Sequence, residues 1–124
     1  MRNGGVFQLN REHTYLNQLY SKELEEPVID RGRAELDEDA RRLTSFVGID
    51  DLKEVDFNLR PWAVKPGDVL LLCSDGISGI LSPPELMEAM SLEPHEGCAL
   101  LETMVLEKQV PEQDNYTAVM IACR

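Results

Sequence analysis

Residues 65–76 read Lys-Pro-Gly-Asp-Val-Leu-Leu-Leu-Cys-Ser-Asp-Gly, and the interpretation of the whole chain starts from them. Proline presets the first central dihedral of a turn and glycine accepts the positive one that follows, so residues 65–68 predict a turn. The unbroken apolar run from Val69 to Cys73 predicts a strand buried on both faces. Asp75 and Gly76 follow where that strand ends, and we expect Gly76 to let the backbone turn sharply there.

A second strongly apolar run lies near the end of the sequence. Residues 116–123 are rich in valine, isoleucine and alanine, which predicts a central strand, and Asp114 and Asn115 stand just before it. If the two strands are neighbours, the carboxylates of Asp75 and Asp114 emerge at one edge of the sheet and can share a hard cation such as Mg²⁺ or Mn²⁺. Taken singly, Ser-Asp-Gly and Asp-Asn are ordinary turn and strand-end sequences, so spacing alone does not establish a metal.

Several other segments have the patterns of helices. Apolar residues recur at helical spacing over residues 13–20 and 36–47, and Gly48 is placed to end the second helix. A Ser-Pro-Pro-Glu motif opens residues 82–90 with a serine cap, an early proline and a glutamate that completes a capping box. A longer helix is predicted over residues 96–109.

Two further segments have the patterns of strands. An Asn-Gly turn at residues 3–4 precedes Val6–Leu9, which suits a hairpin and the start of a strand. Residues 55–59 alternate apolar and polar side chains, and we expect them to form a hairpin with the strand at 69–73. The order of strand, helices, hairpin, helices and strand predicts an α+β layered fold with a largely antiparallel sheet.

The net charge of the chain limits the classes of partner that we expect. Twenty-three acidic against twelve basic side chains give a net charge of −11, which repels phosphate backbones and anionic lipid, so neither nucleic acid nor membrane is expected as a partner. The acidic excess is concentrated in residues 23–39, which also contain Pro27, and we expect poor packing there.

The cysteines and the absence of long apolar runs bear on the cellular compartment in which we expect the protein. Cys73, Cys98 and Cys123 are odd in number and have no metal-like spacing, which favours a reducing environment. The sequence has no apolar run long enough for a membrane span and no secretory signal at its start. We therefore expect a cytoplasmic protein.

These motifs resemble a known enzyme family. Residues 65–76, continued by matching positions in 77–86, closely resemble the segment of type 2C metal-dependent protein phosphatases that runs from a Pro-Gly turn into a Ser-Asp-Gly metal motif. The Asp-Asn-Tyr-Thr-Ala-Val sequence at residues 114–119 is similar to the closing Asp-Asn-x-Thr motif of that family. Residues 42–48 and 3–14 look like two of its earlier segments.

The resemblance covers residues 1–124 but only the C-terminal part of the family's catalytic domain, with the N-terminal part absent. It implies a partial type 2C phosphatase-like fold of α-β layers with a mostly antiparallel sheet and flanking helices. It also implies that Asp75 and Asp114 bind Mn²⁺ or Mg²⁺, with Ser74, Gly76 and Asn115 in turn or supporting positions. The family's bridging aspartate and phosphate-binding arginine have no counterpart here, so metal binding should be weak or absent.

The activity that the resemblance implies is hydrolysis of phosphoserine or phosphothreonine in a phosphoprotein by a metal-activated water. We interpret the chain as a fragment of such a serine/threonine phosphatase, inactive in isolation, in which no catalytic residue beyond the metal ligands is identifiable. Two alternatives stay open. One is a non-catalytic interaction or regulatory module, which could form a homodimer through exposed strand edges, and the other is one half of a split enzyme.

Overall fold

The structure, a computed structural model, describes residues 1–23, 39–52, 54–57 and 59–124, without the side chains of residues 22 and 23. The chain divides into two units, of which the first joins Met1–Phe7 to Trp62–Arg124 and the second is Gln8–Pro61. Helices are combined with a small antiparallel sheet, so the predicted α+β class is confirmed.

The turn before strand β1 (Val69–Cys73) forms as predicted. Gly67 has a φ of 89°, and the Asp68 N–H donates to the Lys65 carbonyl oxygen at 3.0 Å. The buried Asp68 carboxylate accepts hydrogen bonds from the Lys65 N–H at 2.7 Å and from two nitrogens of Arg2 at 2.8 Å and 2.5 Å. The Arg2 guanidinium, followed by the Lys65 N–H, holds the pKa of Asp68 well below its usual range. The turn is therefore tied to the first residues of the chain.

Strand β1 pairs antiparallel with β2 (Ala118–Ala122), in a register that runs from Val69 opposite Ala122 to Cys73 opposite Ala118. The predicted hairpin between residues 55–59 and β1 is therefore wrong, and no strand forms at the described residues 54–57 and 59. The physical reason lies in the side chains. The side chains of β2 are apolar on both faces, like those of β1. In residues 55–59, by contrast, Asp56 would put a charged side chain next to the apolar side chains of β1 in any register.

Only one face of this sheet is covered in the described part of the chain. Val69 and Met120 are buried on that face. On the other face, Leu72 is 58% exposed and Val119, directly opposite it, is 52% exposed. The prediction that β1 is buried on both faces is therefore wrong, and so is the prediction of a central strand at 116–123. In a sheet of two strands, each strand has a free edge.

Three helices of the first unit lie between β1 and β2 in the sequence: α2 (Asp75–Ser78), α3 (Pro83–Met90) and α4 (Pro94–Glu107). Helix α1 (Tyr15–Glu23) belongs to the second unit. The predicted helices at 82–90 and 96–109 are confirmed, the latter beginning two residues early. The short helix α2 was not predicted, because Ser-Asp-Gly was interpreted as a turn.

The start of α3 has the predicted capping box. The N–H and the hydroxyl of Ser82 donate to the Glu85 carboxylate at 2.8 Å and 2.6 Å. Lys108, just after α4, donates to the same carboxylate at 2.6 Å. These contacts, with that of Lys108 the largest, lower the pKa of Glu85 to about 2. One carboxylate thus caps α3 and links it to the end of α4.

The hydrophobic core lies between the sheet and helices α3 and α4. Its buried residues are Val69, Ile77, Leu81, Ala89, Met90, Leu101, Val105 and Met120. Helix α4 contacts both α3 and β2, and Gly97 marks its closest approach. A Cβ atom at Gly97 would lie 2.5 Å from the Ala89 carbonyl oxygen and 2.9 Å from the Met120 sulfur.

The first residues of the chain pair with the free edge of β1. The Val69 N–H donates to the Met1 carbonyl oxygen at 3.1 Å, and the Met1 amino group donates to the Val69 carbonyl oxygen. The predicted Asn-Gly turn is confirmed, since Asn3 and Gly4 have φ values of 50° and 73° inside an Arg2–Gly5 bridge. The predicted strand at 6–9 does not form.

In the second unit, α1 confirms the helix predicted at 13–20, shifted toward its C-terminus. The helix predicted at 36–47 is wrong for residues 39–47, which form turns and a bridge from Leu43 to Thr14. Their backbone groups bond instead to the start of α1, for example from the Tyr15 N–H to the Arg42 carbonyl oxygen at 2.9 Å. Residues 24–38, which hold most of the acidic segment, lie outside the described residues.

A membrane span is not found among the helices in the described ranges, since none combines the length and the apolar character needed to cross a bilayer.

We predict that Gly97→Ala destabilises the protein although alanine favours helices. Helix propensity alone would gain about 1 kcal/mol. The new methyl group would meet a backbone oxygen at 2.5 Å, and overpacking of this kind costs roughly 1–3 kcal/mol or more. Because the clash is with backbone, we expect the upper end of this cost and therefore a net loss of about 2 kcal/mol in the free energy of unfolding, measured by urea denaturation.

The matched control is Ala99→Gly at an exposed position of the same helix, which should lose about 1 kcal/mol through propensity alone. A Gly97→Ala protein as stable as the parent would show that α4 does not approach α3 and β2 this closely.

Candidate metal site at the end of the strand pair

Asp75 is the first residue of α2 and follows β1 directly after Ser74. Its side chain is exposed, and its carboxylate accepts a hydrogen bond from the Gly76 N–H at 3.0 Å. One carboxylate oxygen is therefore used locally, and the group remains accessible to solvent.

Asp114 lies shortly before β2 and is also exposed. Its carboxylate accepts a hydrogen bond from the Asn115 N–H at 2.7 Å, the same local arrangement as at Asp75. Because the strands are antiparallel and Cys73 lies opposite Ala118, the segments that carry the two aspartates leave the sheet at the same end. The two segments therefore lie at the same end of the sheet, as the sequence predicts. That their carboxylates share a cation stays a prediction.

Direct contacts hold the two segments together. The Ser74 N–H donates to the Thr117 carbonyl oxygen at 3.0 Å, and the Thr117 N–H donates to the Ser74 hydroxyl at 3.0 Å. The Ser74 hydroxyl also lies 3.5 Å from the Asn115 carbonyl oxygen. All three predicted supporting residues, Ser74, Gly76 and Asn115, therefore lie at this junction.

Gly76 has a different role from the one predicted. It does not adopt a positive φ, so it is not needed for a sharp turn. Instead it is buried, and a Cβ atom there would lie 2.5 Å from the Asn115 carbonyl oxygen and 3.3 Å from the Tyr116 Cβ atom. Glycine is required at this position because the two backbones approach so closely.

The donor set fits a hard divalent cation in type but is small in number. Carboxylate oxygens suit Mg²⁺ and Mn²⁺, and Mg²⁺ is commonly held by one or two carboxylates together with waters. Within the described residues, no group of three or more histidine, cysteine, aspartate or glutamate side chains is arranged to hold a metal ion. Asp75 and Asp114 could therefore provide only part of a metal site.

The thiol nearest this junction belongs to Cys73. Partial burial raises the pKa of the Cys73 thiol, with opposing hydrogen bonds from Ser78. Cys98 and Cys123 are free as well.

The loop that leads to Asp114 contains features that the sequence did not predict. Gln109 and Glu112, on either side of Val110-Pro111, have φ values of 47° and 56°, a region that non-glycine residues rarely adopt. The Gln113 side-chain amide donates to the Asp114 carbonyl oxygen at 3.1 Å. Pro111 is the one signal in this loop that could have indicated an irregular backbone.

A cleft of about 370 Å³ lies at the opposite end of the strand pair, between residues 1–4 and 65–68. Of its two cationic side chains, Arg2 and Lys65, Arg2 is engaged by the Asp68 carboxylate. The cleft is therefore remote from both candidate ligands and belongs to the turn that precedes β1.

Comparison with known proteins bears on this site. No protein-family profile matches the chain. The chain is 28% identical over 114 residues to a curated protein of Mycoplasma pneumoniae described as a "Putative protein phosphatase". The match covers 92% of this chain and 42% of the relative, so the chain spans less than half the length of that relative.

We predict that Gly76→Ala separates the two segments of the site. The added methyl group would force the Asn115 carbonyl oxygen away, which should weaken the hydrogen bonds between Ser74 and Thr117. Amide hydrogen exchange at both residues should accelerate about tenfold or more, as expected when a local structure loses roughly 1.4 kcal/mol.

Glu88→Ala serves as the control, since Glu88 is exposed on α3, away from the junction. Unchanged exchange in the Gly76→Ala protein would mean that the close approach of the two segments is not maintained in solution.

Proposed function

We propose that this chain is the C-terminal, metal-binding part of a type 2C-like serine/threonine protein phosphatase. The observation that carries the proposal is the antiparallel pairing of β1 with β2, because it brings the segments of Asp75 and Asp114 to one end of the sheet. The similarity to a protein described as a putative protein phosphatase supports phosphatase activity in general.

The residues of this chain have limited roles in that reaction. The carboxylates of Asp75 and Asp114 would hold one Mn²⁺ or Mg²⁺ ion, each through the oxygen that its local N–H leaves free. A bound ion lowers the pKa of its water, orients that water and neutralises charge on the phosphoryl group. Ser74, Gly76 and Asn115 would keep the two carboxylates in a constant relation.

The remaining parts of the reaction would come from outside this chain. The resemblance calls for a bridging aspartate in an Asp-Gly-x-Gly motif and for a phosphate-binding arginine, and the Asp-Gly pair at 75–76 is the single one in the sequence. The relative is also more than twice as long as the matched region. Both observations support a fragment of a longer enzyme. We propose that the intact enzyme binds the substrate, a phosphoserine or phosphothreonine protein.

One observation favours the two alternatives, a non-catalytic interaction or regulatory module and one half of a split enzyme, because both need a surface that binds another chain. The uncovered face of the sheet presents four aliphatic side chains without a charge among them: Leu70, Leu72, Val119 and Ile121. An apolar patch of this kind often marks an interaction site. Retention of Asp75 and Asp114 favours the phosphatase, because an interaction module has no need of them.

We predict that Mn²⁺ binds weakly and selectively at Asp75 and Asp114. In an NMR titration, the paramagnetic ion should broaden the amide signals of residues 74–76 and 114–116 first. Asp75→Asn and Asp114→Asn should each raise the Mn²⁺ concentration needed for this broadening at least tenfold. Asparagine keeps the oxygen that accepts the local N–H, so the backbone should stay in place.

Glu88→Gln is the matched control, because Glu88 is an exposed carboxylate on α3, away from the strand ends. Broadening that depends equally on Glu88 would reveal non-specific attraction of Mn²⁺ to an acidic protein and would refute the proposed site.

We predict that this chain alone turns over a phosphoserine peptide at or near the background rate in the presence of Mn²⁺. Two ligands cannot hold two ions around a nucleophilic water, so the nucleophile is lost rather than slowed. The measurement is phosphate release, with Asp114→Asn as the reference.

Robust turnover that Asp114→Asn abolishes would contradict the fragment interpretation and indicate a complete site. A chain that binds no Mn²⁺ at residues 75 and 114 but dimerises through the uncovered face would favour the interaction module.

A further inference from the structure

We propose that Ser74 is a positioning residue, whose hydroxyl group fixes the separation between the segments of Asp75 and Asp114. This inference rests on the proposed metal site for its functional meaning. Two hydrogen-bonding patterns meet at Ser74 and compete for its carbonyl oxygen. One is the last pair of the β-ladder, and the other is the first turn of α2.

A regular β-ladder would use the Ser74 carbonyl oxygen as a hydrogen-bond acceptor. In an antiparallel pair, residues of a hydrogen-bonded pair exchange two N–H to O=C bonds. The Ser74 N–H makes the first of these, to the Thr117 carbonyl oxygen at 3.0 Å. The return bond would run from the Thr117 N–H to the Ser74 carbonyl oxygen.

Helix α2 uses the same Ser74 carbonyl oxygen as an acceptor. The Ser74 carbonyl oxygen accepts from the Ile77 N–H at 3.1 Å and from the Ser78 N–H at 3.3 Å, which closes the turn that begins with Asp75. A carbonyl oxygen has two lone pairs, and both are used here.

The Ser74 hydroxyl resolves the conflict. It replaces the carbonyl oxygen in the ladder and accepts the Thr117 N–H at 3.0 Å. The strand pair can therefore extend to Ser74 while the helix starts at the next residue, and Asp75 is held directly beside the segment of Asp114. An alanine at this position would leave the Thr117 N–H to compete for the helical carbonyl oxygen or to lose its partner.

The junction has little room to adjust. Gly76 already approaches the Asn115 carbonyl oxygen so closely that a Cβ atom would lie 2.5 Å away. Sliding one segment along the other to find a new acceptor would bring backbone atoms into collision. Loss of the hydroxyl should therefore open the junction rather than let it rearrange.

Three variants test this role: Ser74→Ala removes the acceptor, Ser74→Thr retains it, and Thr117→Val keeps the N–H donor while removing an exposed hydroxyl. Threonine suits the extended backbone of Ser74, whose φ and ψ are −77° and 168°. Without metal, amide exchange at Thr117 should accelerate about tenfold in Ser74→Ala alone, and the amide signals of both Asp75 and Asp114 should shift. Urea denaturation of each variant separates this local opening from global unfolding.

The second measurement is the Mn²⁺ titration of the same proteins. We expect Ser74→Ala to raise the Mn²⁺ concentration needed for broadening at residues 75 and 114 several-fold, and Ser74→Thr to restore it. Faster exchange at Thr117 with unchanged Mn²⁺ binding would overturn the positioning role and leave Ser74 a purely structural residue. Unchanged exchange and signals in Ser74→Ala would overturn it as well.

The outcomes also distinguish this inference from the proposed function. If the parent chain binds no Mn²⁺ at residues 75 and 114, the metal site fails. The metal-free measurements still decide the inference in that case, because they report whether the Ser74 hydroxyl controls the relation between the two aspartate segments.

Discussion

The antiparallel ladder between β1 and β2 is the interaction on which the candidate site depends. Its two strands come from distant parts of the sequence, and both ends of the pairing are completed by groups outside the regular pattern. At one end the Gly67 N–H bonds to the Cys123 carbonyl oxygen, while Asp68 holds the turn through Arg2. At the other end the Ser74 hydroxyl takes the last bond. Two exposed aspartates acquire a defined relation only because this ladder has one register.

A two-stranded ladder is marginally stable by itself, so its helices matter to the site. Helix α4 packs against α3 and β2 at Gly97, and its buried Leu101 and Val105 belong to the same apolar core as Val69 and Met120 of the sheet. The opposite face of the sheet has no such cover among the described residues. The same unit thus has a well-packed side that supports the strand pair and an apolar side that is exposed in the described part of the chain.

Much of the first unit could be predicted because its signals are local. The Pro-Gly turn, the span of β1, the capping box of Ser82 with Glu85 and the aspartates at the strand ends each follow from a few adjacent residues. The errors arose where a local pattern had to compete with the rest of the chain. Residues 39–47 have a helical stripe, yet their backbone groups bond to the start of α1. Residues 55–59 alternate as a strand should, but β1 pairs with β2 instead.

The sequence by itself therefore singled out the residues that we propose for the chemistry: two carboxylates beside strong strand formers, in an order that resembles a phosphatase. Only the tertiary structure decided that β2 is the partner of β1, that Gly76 is needed for a close approach, and that the Ser74 hydroxyl replaces a backbone carbonyl. The physical reason is that turns and caps are stabilised within a few residues, whereas strand pairing is a choice among distant partners. That choice depends on the packing of both faces and on every hydrogen bond at the junction, which no local stretch of sequence contains.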